Sequence, residues 1–176
     1  MRTRASIAGH PIHVMAVALP IGLWIFSLVC DVIQVTGHNA DLWFTVAYIT
    51  MAGGIVGAVI AAIFGLVDLT SLPRSHARNV ALTHMGLNSV IVALYAVNLW
   101  MRTGDLDSML GPLVLSMAAI ALLSLSGWLG GELVHVLMVG VDTDEVVRRE
   151  RAQSAPRPSA RDVHGEAAPR DARSHS

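Results

Sequence analysis

The chain contains little charge and almost no cysteine. Charged residues make up 14% of its 176 residues, no lysine occurs, and Cys30 is the single cysteine. One cysteine excludes an internal disulfide and a cysteine-ligated metal cluster. Hydrophobic residues make up 53% of the chain, and its mean hydropathy is +0.57. This composition is too apolar for an ordinary soluble enzyme of this length, so we expect one compact membrane domain.

The few charges are distributed unevenly. Residues 1–141 contain five arginines and six acidic residues, whereas residues 142–176 contain seven of each. From Ala155 onward the chain has almost no large apolar residue, so it cannot bury enough surface to fold. We expect a transmembrane domain at 1–141 and a charged, mostly disordered tail at 142–176. Within the tail, Asp142 to Gln153 has the composition for one or two amphipathic helical turns.

Four apolar runs in the first domain are long enough to cross a bilayer. A hydrocarbon core of about 30 Å needs roughly 20 helical residues, and the runs are 14–35, 42–69, 80–101 and 110–139. Because backbone groups in lipid must be hydrogen-bonded internally, each run is predicted to be a helix. The polar connections are short, which predicts an all-α, up-down four-helix bundle of antiparallel neighbours.

The arginines predict the orientation of this bundle. Arg2 and Arg4 precede the first helix, Arg74 and Arg78 lie between the second and third, and three more arginines follow the fourth. The opposite connections contain Arg102 as their single basic residue besides His38. Basic connections tend to stay in the cytoplasm. We therefore expect the amino and carboxyl termini, including the tail, on the cytoplasmic side.

Small residues line two helix surfaces. In the second helix, Gly53, Gly57, Ala61 and Gly65 recur at a spacing of four, and near the end of the fourth lie Gly127, Gly130 and Gly131. Small residues let another helix come close, and we favour packing as their role. The alternative is that the space they leave holds a flat cofactor.

The third helix carries a polar stripe. Its members fall on one helix face and are His84, Asn88, Tyr95 and Asn98. Such side chains are expected to point into the bundle, where polar residues are functional candidates. For Tyr95 and Asn98, hydrogen bonds that only fix the packing explain the pattern equally well.

Six side chains of metal-ligand type are predicted at one depth, toward the cytoplasmic ends of the helices. They are His10, His13, Asp68, His84, Glu132 and His135. Neutral imidazole binds Fe, Zn, Cu or Ni, and carboxylates complete or orient such sites. Ligation, proton handling and plain structural pairing are all open for this group.

Four motifs occur in order at the predicted helix ends. They are Gly9-His10-Pro11-Ile12-His13, Gly65-Leu66-Val67-Asp68, His84-Met85-Gly86-Leu87-Asn88 and Ser126-Gly127-Trp128-Leu129-Gly130-Gly131-Glu132-Leu133-Val134. Together they resemble the bacterial domain-of-unknown-function 2231 family of predicted membrane proteins, over residues of about 9–141. The resemblance implies a four-helix protein of the bacterial inner membrane. Some relatives are joined to Rieske-type iron-sulfur domains.

The chain departs from the family pattern at two places. Val14 stands where the family has a proline after the second histidine, and Leu137 stands where it has a later histidine. His135 is then a shifted substitute for that histidine. The other motif positions, His10, Asp68, His84 and Glu132, correspond directly.

Our leading hypothesis from these patterns is a membrane redox component that holds one b-type haem. The ligands would be His13 or His10 together with His84, His135 is a further candidate, and Arg74 or Arg78 would pair with the haem propionates. A redox partner protein or a quinone would exchange electrons with it. The iron-sulfur fusions of relatives favour this hypothesis.

Two alternatives belong to other classes. One is a divalent transition-metal site formed by His10, His13, Asp68, His84 and Glu132. The other is a non-catalytic scaffold subunit, with the lipid bilayer and a second copy of the chain as partners. The sequence contains no phosphate-binding loop, dinucleotide fingerprint or nucleic-acid patch, so we expect no nucleic-acid partner.

Overall fold

The computed structural model of the protein describes residues 6–7, 10–104, 108–139 and 143–154. Four helical spans in it are long and apolar enough to cross a membrane: Ile12–Val35, Ala40–Ser71, His76–Met101 and Leu110–Val136. The predicted four-helix membrane bundle is therefore confirmed. The chain divides into two units between residues 142 and 143.

The first span is interrupted once. A short antiparallel pair, β1 (Ser6–Ile7) and β2 (His10–Pro11), precedes helix α1 (Ile12–Ala16), and α2 (Ala18–Val35) follows after Val17. Proline has no backbone N–H, so Pro20 cannot donate to the carbonyl four residues earlier. The hydrogen bonds on either side, from Val17 N to His13 O and from Ile21 N to Val17 O, keep the two helices in one span.

The other spans are α3 (Ala40–Ser71), α4 (His76–Met101) and α5 (Leu110–Gly131), with a π-helical turn at Glu132–Val136 after α5. The predicted bounds of 42–69 and 80–101 were too short. Hydropathy marks only the lipid-buried part of a helix, whereas α4 continues into a polar first turn that includes His76 and Arg78. In the turn between α2 and α3, Gly37 has a φ of 77°, a left-handed conformation that commonly ends a helix.

The helices pack in a ring: α2 on α3, α3 on α4, α4 on α5, and α5 on α2. An apolar core lies inside it, formed by Trp24, Met51, Ile91, Tyr95, Ala119 and Leu123. Large apolar side chains such as Leu19, Ile63 and Leu125 are exposed on the outside. A soluble protein rarely exposes so many, whereas a bilayer solvates them.

The glycines of α3 are packing positions. A Cβ on Gly53 would lie 3.3 Å from Leu23 Cδ1, one on Gly57 would lie 3.3 Å from Pro20 Cδ, and one on Gly54 would overlap the Trp24 indole. Side chains of α2 therefore fill the space that these glycines leave, which confirms the packing interpretation and gives a flat cofactor no room there.

The second predicted small-residue surface is smaller than expected. A Cβ on Gly130 would touch His84, whereas one on Gly127 or Gly131 would meet no described atom within 4 Å. Gly130 alone of the three therefore makes a close approach.

The second unit contains helix α6 (Thr143–Ser154) of 12 residues. This is longer than the one or two turns expected from Asp142 to Gln153. The predicted disorder of residues 155–176 lies outside the described residues.

We predict that Gly54→Ala lowers the melting temperature of the detergent-purified protein. The added methyl group overlaps the Trp24 ring, and overpacking of this kind costs about 1–3 kcal/mol. Gly86→Ala is the matched control, because a Cβ there meets nothing within 4 Å and alanine stabilises a helix by roughly 0.5–1 kcal/mol relative to glycine. Equal melting temperatures for the two variants would contradict the packing at Gly54.

Candidate functional site

His13 joins α1 to α3 by a hydrogen bond to the helix backbone. Its Nδ1 lies 2.8 Å from the carbonyl oxygen of Ala61. Side chains on a helix tilt toward its N-terminus, so a side chain at position 65 would lie over this carbonyl. Gly65 has none, and a Cβ there would be only 2.9 Å from His13 Cε1. Glycine at position 65 is therefore what lets the imidazole reach the carbonyl of Ala61.

His84 repeats this arrangement between α4 and α5. Its Nδ1 lies 2.9 Å from the carbonyl oxygen of Ser126, and a Cβ on Gly130 would lie 3.3 Å from His84 Cε1. In both cases an imidazole from one helix bonds a carbonyl of the next, and the residue four positions after that carbonyl is glycine. We call each instance a histidine–carbonyl–glycine contact.

The two imidazoles lie next to each other in an edge arrangement. Their ring centroids are 6.5 Å apart and their planes are nearly perpendicular, at 89°. A carbonyl oxygen can only accept, so each Nδ1 carries the hydrogen and each Nε2 carries the lone pair. Metal-binding histidines typically have their second ring nitrogen bonded in this way.

Asn88 contacts the second ring nitrogen of His84. Its Nδ2 lies 3.1 Å from His84 Nε2, and it also donates to Ser126 Oγ at 2.6 Å and to His84 O at 2.8 Å. The Asn88 amide therefore has other acceptors if a ligand takes the Nε2 lone pair.

The remaining predicted ligands are distributed differently. Asp68 is buried on α3 and Glu132 is half-buried in the π-helical turn, whereas His135 is exposed and its Nδ1 lies 3.0 Å from Gly131 O of its own helix. The side chain of His10 lies outside the described residues. Within the described part of the chain, no three His, Cys, Asp or Glu side chains form a group that could hold a metal ion. The five-residue metal set stays a prediction.

The two predicted propionate-binding arginines lie together at the turn between α3 and α4. Arg74 and Arg78 line a shallow cavity of about 410 Å³ with Ser75 and Asn79. Arg78 also donates from Nη1 to the carbonyl oxygen of Leu72 at 3.1 Å.

A second polar network lies at the opposite end of the bundle, which we call the ion-pair end. Arg102 Nη2 lies 2.7 Å from Asp31 Oδ2, and both side chains are almost fully buried. Ser116 Oγ donates to the same carboxylate oxygen at 3.1 Å, and the Arg102 guanidinium lies over the Phe44 ring, 5.8 Å from its centroid. These residues join the first, second and fourth spans to the residue that follows the third.

Asn98 connects this network to α5. It donates to Pro112 O at 2.7 Å and to Ser116 Oγ at 2.9 Å, and its Oδ1 accepts from Arg102 Nε at 2.9 Å. Tyr95 instead stacks on Trp24, with ring centroids 4.4 Å apart. The predicted polar stripe of α4 is thus divided between two networks.

Arg102 begins the connection after the third span, as predicted, but the sequence analysis did not predict its burial. Only 4% of its surface is exposed, because Asp31 supplies its counter-charge inside the bundle. A signal for this pair is present in the sequence. Asp31 lies near the end of the first span and Arg102 follows the third, and these two ends meet in an up-down bundle. A charge inside a membrane span is expected to have a partner.

Comparison with known proteins adds a family and no relative of established function. A family model described as "Predicted membrane protein (DUF2231)" matches residues 9–143. No curated protein and no solved structure matches the chain.

We predict that Asp31→Ala lowers the free energy of unfolding by about 3–5 kcal/mol, because it leaves the buried Arg102 charge without a partner. Replacing both residues, as Asp31→Leu with Arg102→Met, is expected to restore stability to near the wild-type value. Denaturant unfolding in detergent measures both. Asp41→Ala is the control. Asp41 is exposed in the first turn of α3, where an acidic side chain contributes at most about 1 kcal/mol to the free energy of unfolding. An effect of Asp31→Ala no larger than that of the control contradicts the pair.

Proposed function

The match over residues 9–143 makes this chain a member of the DUF2231 family of predicted membrane proteins, and we propose its function from its own side chains. The family description itself specifies no reaction. The protein is a membrane redox component that binds one b-type haem between His13 and His84. The observation that carries this proposal is the placement of these two imidazoles.

The ring separation supports one shared metal centre. Two imidazoles that bind one metal from opposite sides have ring centres roughly 6 Å apart, given a metal–nitrogen bond of about 2 Å on each side and about 1 Å from each nitrogen to its ring centre. The centroids of His13 and His84 are 6.5 Å apart. This separation supports a metal centre shared by the two rings.

The hydrogen bonds support the same assignment. Each Nδ1 is bonded to a backbone carbonyl, of Ala61 or Ser126, which orients the ring and keeps the lone pair on Nε2. Haem iron needs only two axial ligands from the protein, whereas a structural zinc ion needs four. Two imidazoles therefore favour haem over a bare divalent ion. His10 stays a candidate in place of His13.

Arg74 and Arg78 are the proposed partners of the haem propionates. Arg78 precedes His84 by six residues on α4, about 9 Å along the helix axis. Guanidinium groups form strong, charge-assisted hydrogen bonds with carboxylates, and the shallow cavity beside these arginines is open to such a group.

Bound haem would supply one-electron transfer. The chain would bind the iron through two imidazoles, hold both rings by their carbonyl contacts, and keep bulk water away with its apolar outer surface. The electron donor or acceptor would be a redox partner protein at the membrane surface or a quinone in the bilayer.

We predict that protein purified in detergent from haem-replete cells shows a Soret band that shifts on reduction with dithionite, with about one haem per chain, the number of sites that one histidine pair can form. His13→Ala and His84→Ala should each abolish or greatly weaken the band, because each removes an axial ligand. His38→Ala is the control, since His38 is exposed in the turn at the opposite end of the bundle. Absorption spectra and metal analysis on the same samples check this.

The same measurements separate the alternatives. A colourless protein that contains stoichiometric zinc, nickel or iron would replace haem with the divalent-metal site. A colourless protein without metal would mean that the two imidazoles only join helices. His84→Ala would then change the melting temperature alone.

We also propose that the protein lies in the bacterial inner membrane with both termini in the cytoplasm. Arg102 is neutralised by Asp31 inside the bundle, so it contributes no free positive charge to the connection after α4. Arg74 between α3 and α4, and Arg148 and Arg151 on α6, are exposed. The bias of free arginines therefore favours the side of the termini as cytoplasmic.

Reporter fusions after residue 154 test this orientation. A fused fluorescent protein that folds only in the cytoplasm is expected to be bright, and a fused alkaline phosphatase, which needs the periplasm, is expected to be inactive. The same reporters inserted after Gly37 should give the opposite pair of results. Reversal at both positions would contradict the proposed orientation.

A further inference from the structure

We propose that the interior of the bundle around Asp31 and Arg102 is a water-binding pocket. It opens at the ion-pair end of the bundle and is closed toward the middle by the stacked rings of Trp24 and Tyr95. This inference rests on contacts at the end opposite the histidines and does not depend on haem binding.

The inference begins with buried polar atoms. Five of them have no hydrogen-bond partner among the described residues: Trp24 Nε1, Asp31 Oδ1, Gln34 Oε1, Tyr95 OH and Arg102 Nη1. A buried polar group without a partner costs roughly 1–3 kcal/mol or more, and bound water or a bound ion is one way in which native proteins satisfy such groups. Five in one part of a small bundle therefore indicate a bound ligand.

The chemistry of these atoms selects water. Arg102 Nη1 and Trp24 Nε1 can only donate, Asp31 Oδ1 and Gln34 Oε1 can only accept, and Tyr95 OH does both. A cation bound here would lie beside the Arg102 guanidinium, and an anion would lie beside the Asp31 carboxylate, since the two are 2.7 Å apart. Water donates and accepts, and a buried water typically makes two to four hydrogen bonds.

The residues that carry these atoms lie on two helix faces that meet inside the bundle. On α2, Trp24, Asp31 and Gln34 recur at intervals of seven and three residues, which share a helix face. Tyr95 lies on α4, and Arg102 follows it by seven residues, directly after the end of that helix. The Asp31–Arg102 bond and the stacking of Trp24 on Tyr95 join the two faces.

The two ends of the pocket differ. Gln34 lies in the last turn of α2 and is partly exposed, which gives the open end. At the other end the Trp24 and Tyr95 rings are nearly parallel, at 12°, and pack with Met51 and Ile91 in the apolar core. Water in the pocket therefore hydrates the buried ion pair and reduces its desolvation cost without forming a path across the membrane.

Radiolytic hydroxyl-radical footprinting tests for this water. The radicals form from water in place, so a buried side chain is modified where it contacts bound water. Tyr95 and Met51 are both 0% exposed, and a methionine is intrinsically at least as reactive as a tyrosine. We expect modification of Tyr95 to exceed that of Met51 several-fold in the intact protein. Equal or lower modification of Tyr95 overturns the proposal.

Two variants link the signal to the pocket. In Asp31→Leu with Arg102→Met, the polar walls are lost, and Tyr95 modification is expected to fall to the level of Met51. Gln34→Leu, which keeps the ion pair and makes only the mouth apolar, should lower it as well and serves if the double variant does not fold. Unchanged Tyr95 modification in a folded variant would mean that water reaches this tyrosine by another route and would overturn the proposal.

Discussion

A polar side chain within a bilayer must find its partners inside the protein, because lipid offers none. The organisation of this bundle follows from that constraint. Its apolar residues divide between a small core and a large outer surface, and its few buried polar side chains gather at the two ends of the ring of helices. Each gathering draws on all four spans, so the polar contacts fix which helix ends meet.

At one end, the constraint is met with backbone carbonyls. A helical carbonyl already accepts one hydrogen bond within its helix and has a second lone pair free, but the side chain four residues later usually covers it. Gly65 and Gly130 remove that cover, and His13 and His84 take the two exposed lone pairs. The same chemistry thus occurs in the contact of α1 with α3 and in that of α4 with α5. The Nε2 lone pairs of these two neighbouring imidazoles are not used by the carbonyls, which is the basis of the proposed haem site.

At the other end, the constraint is met with an ion pair. Asp31 and Arg102 are both buried, and Asn98, Ser116 and Phe44 complete their surroundings. An apolar layer around Met51 and Ile91 lies between this network and the histidines. Among the described residues, the two polar networks are therefore separated by this apolar layer.

The amino-acid sequence was enough to predict the four spans, their up-down order and the end of the bundle at which His13 and His84 lie. These features follow from local hydropathy, from connection length and from the need of a lipid-buried backbone to be helical. It also identified His13 and His84 as members of a group, although it could not tell which of six candidates face each other. Three features emerged only with the packing of the helices. His13 and His84 pair while His135 stays outside, Gly65 and Gly130 accommodate these histidines, and the Arg102 side chain turns from the start of its connection into the bundle to meet Asp31. The reason is geometric: each of these outcomes depends on the rotation of one helix about its axis relative to its neighbour, which spacing within a single helix does not specify.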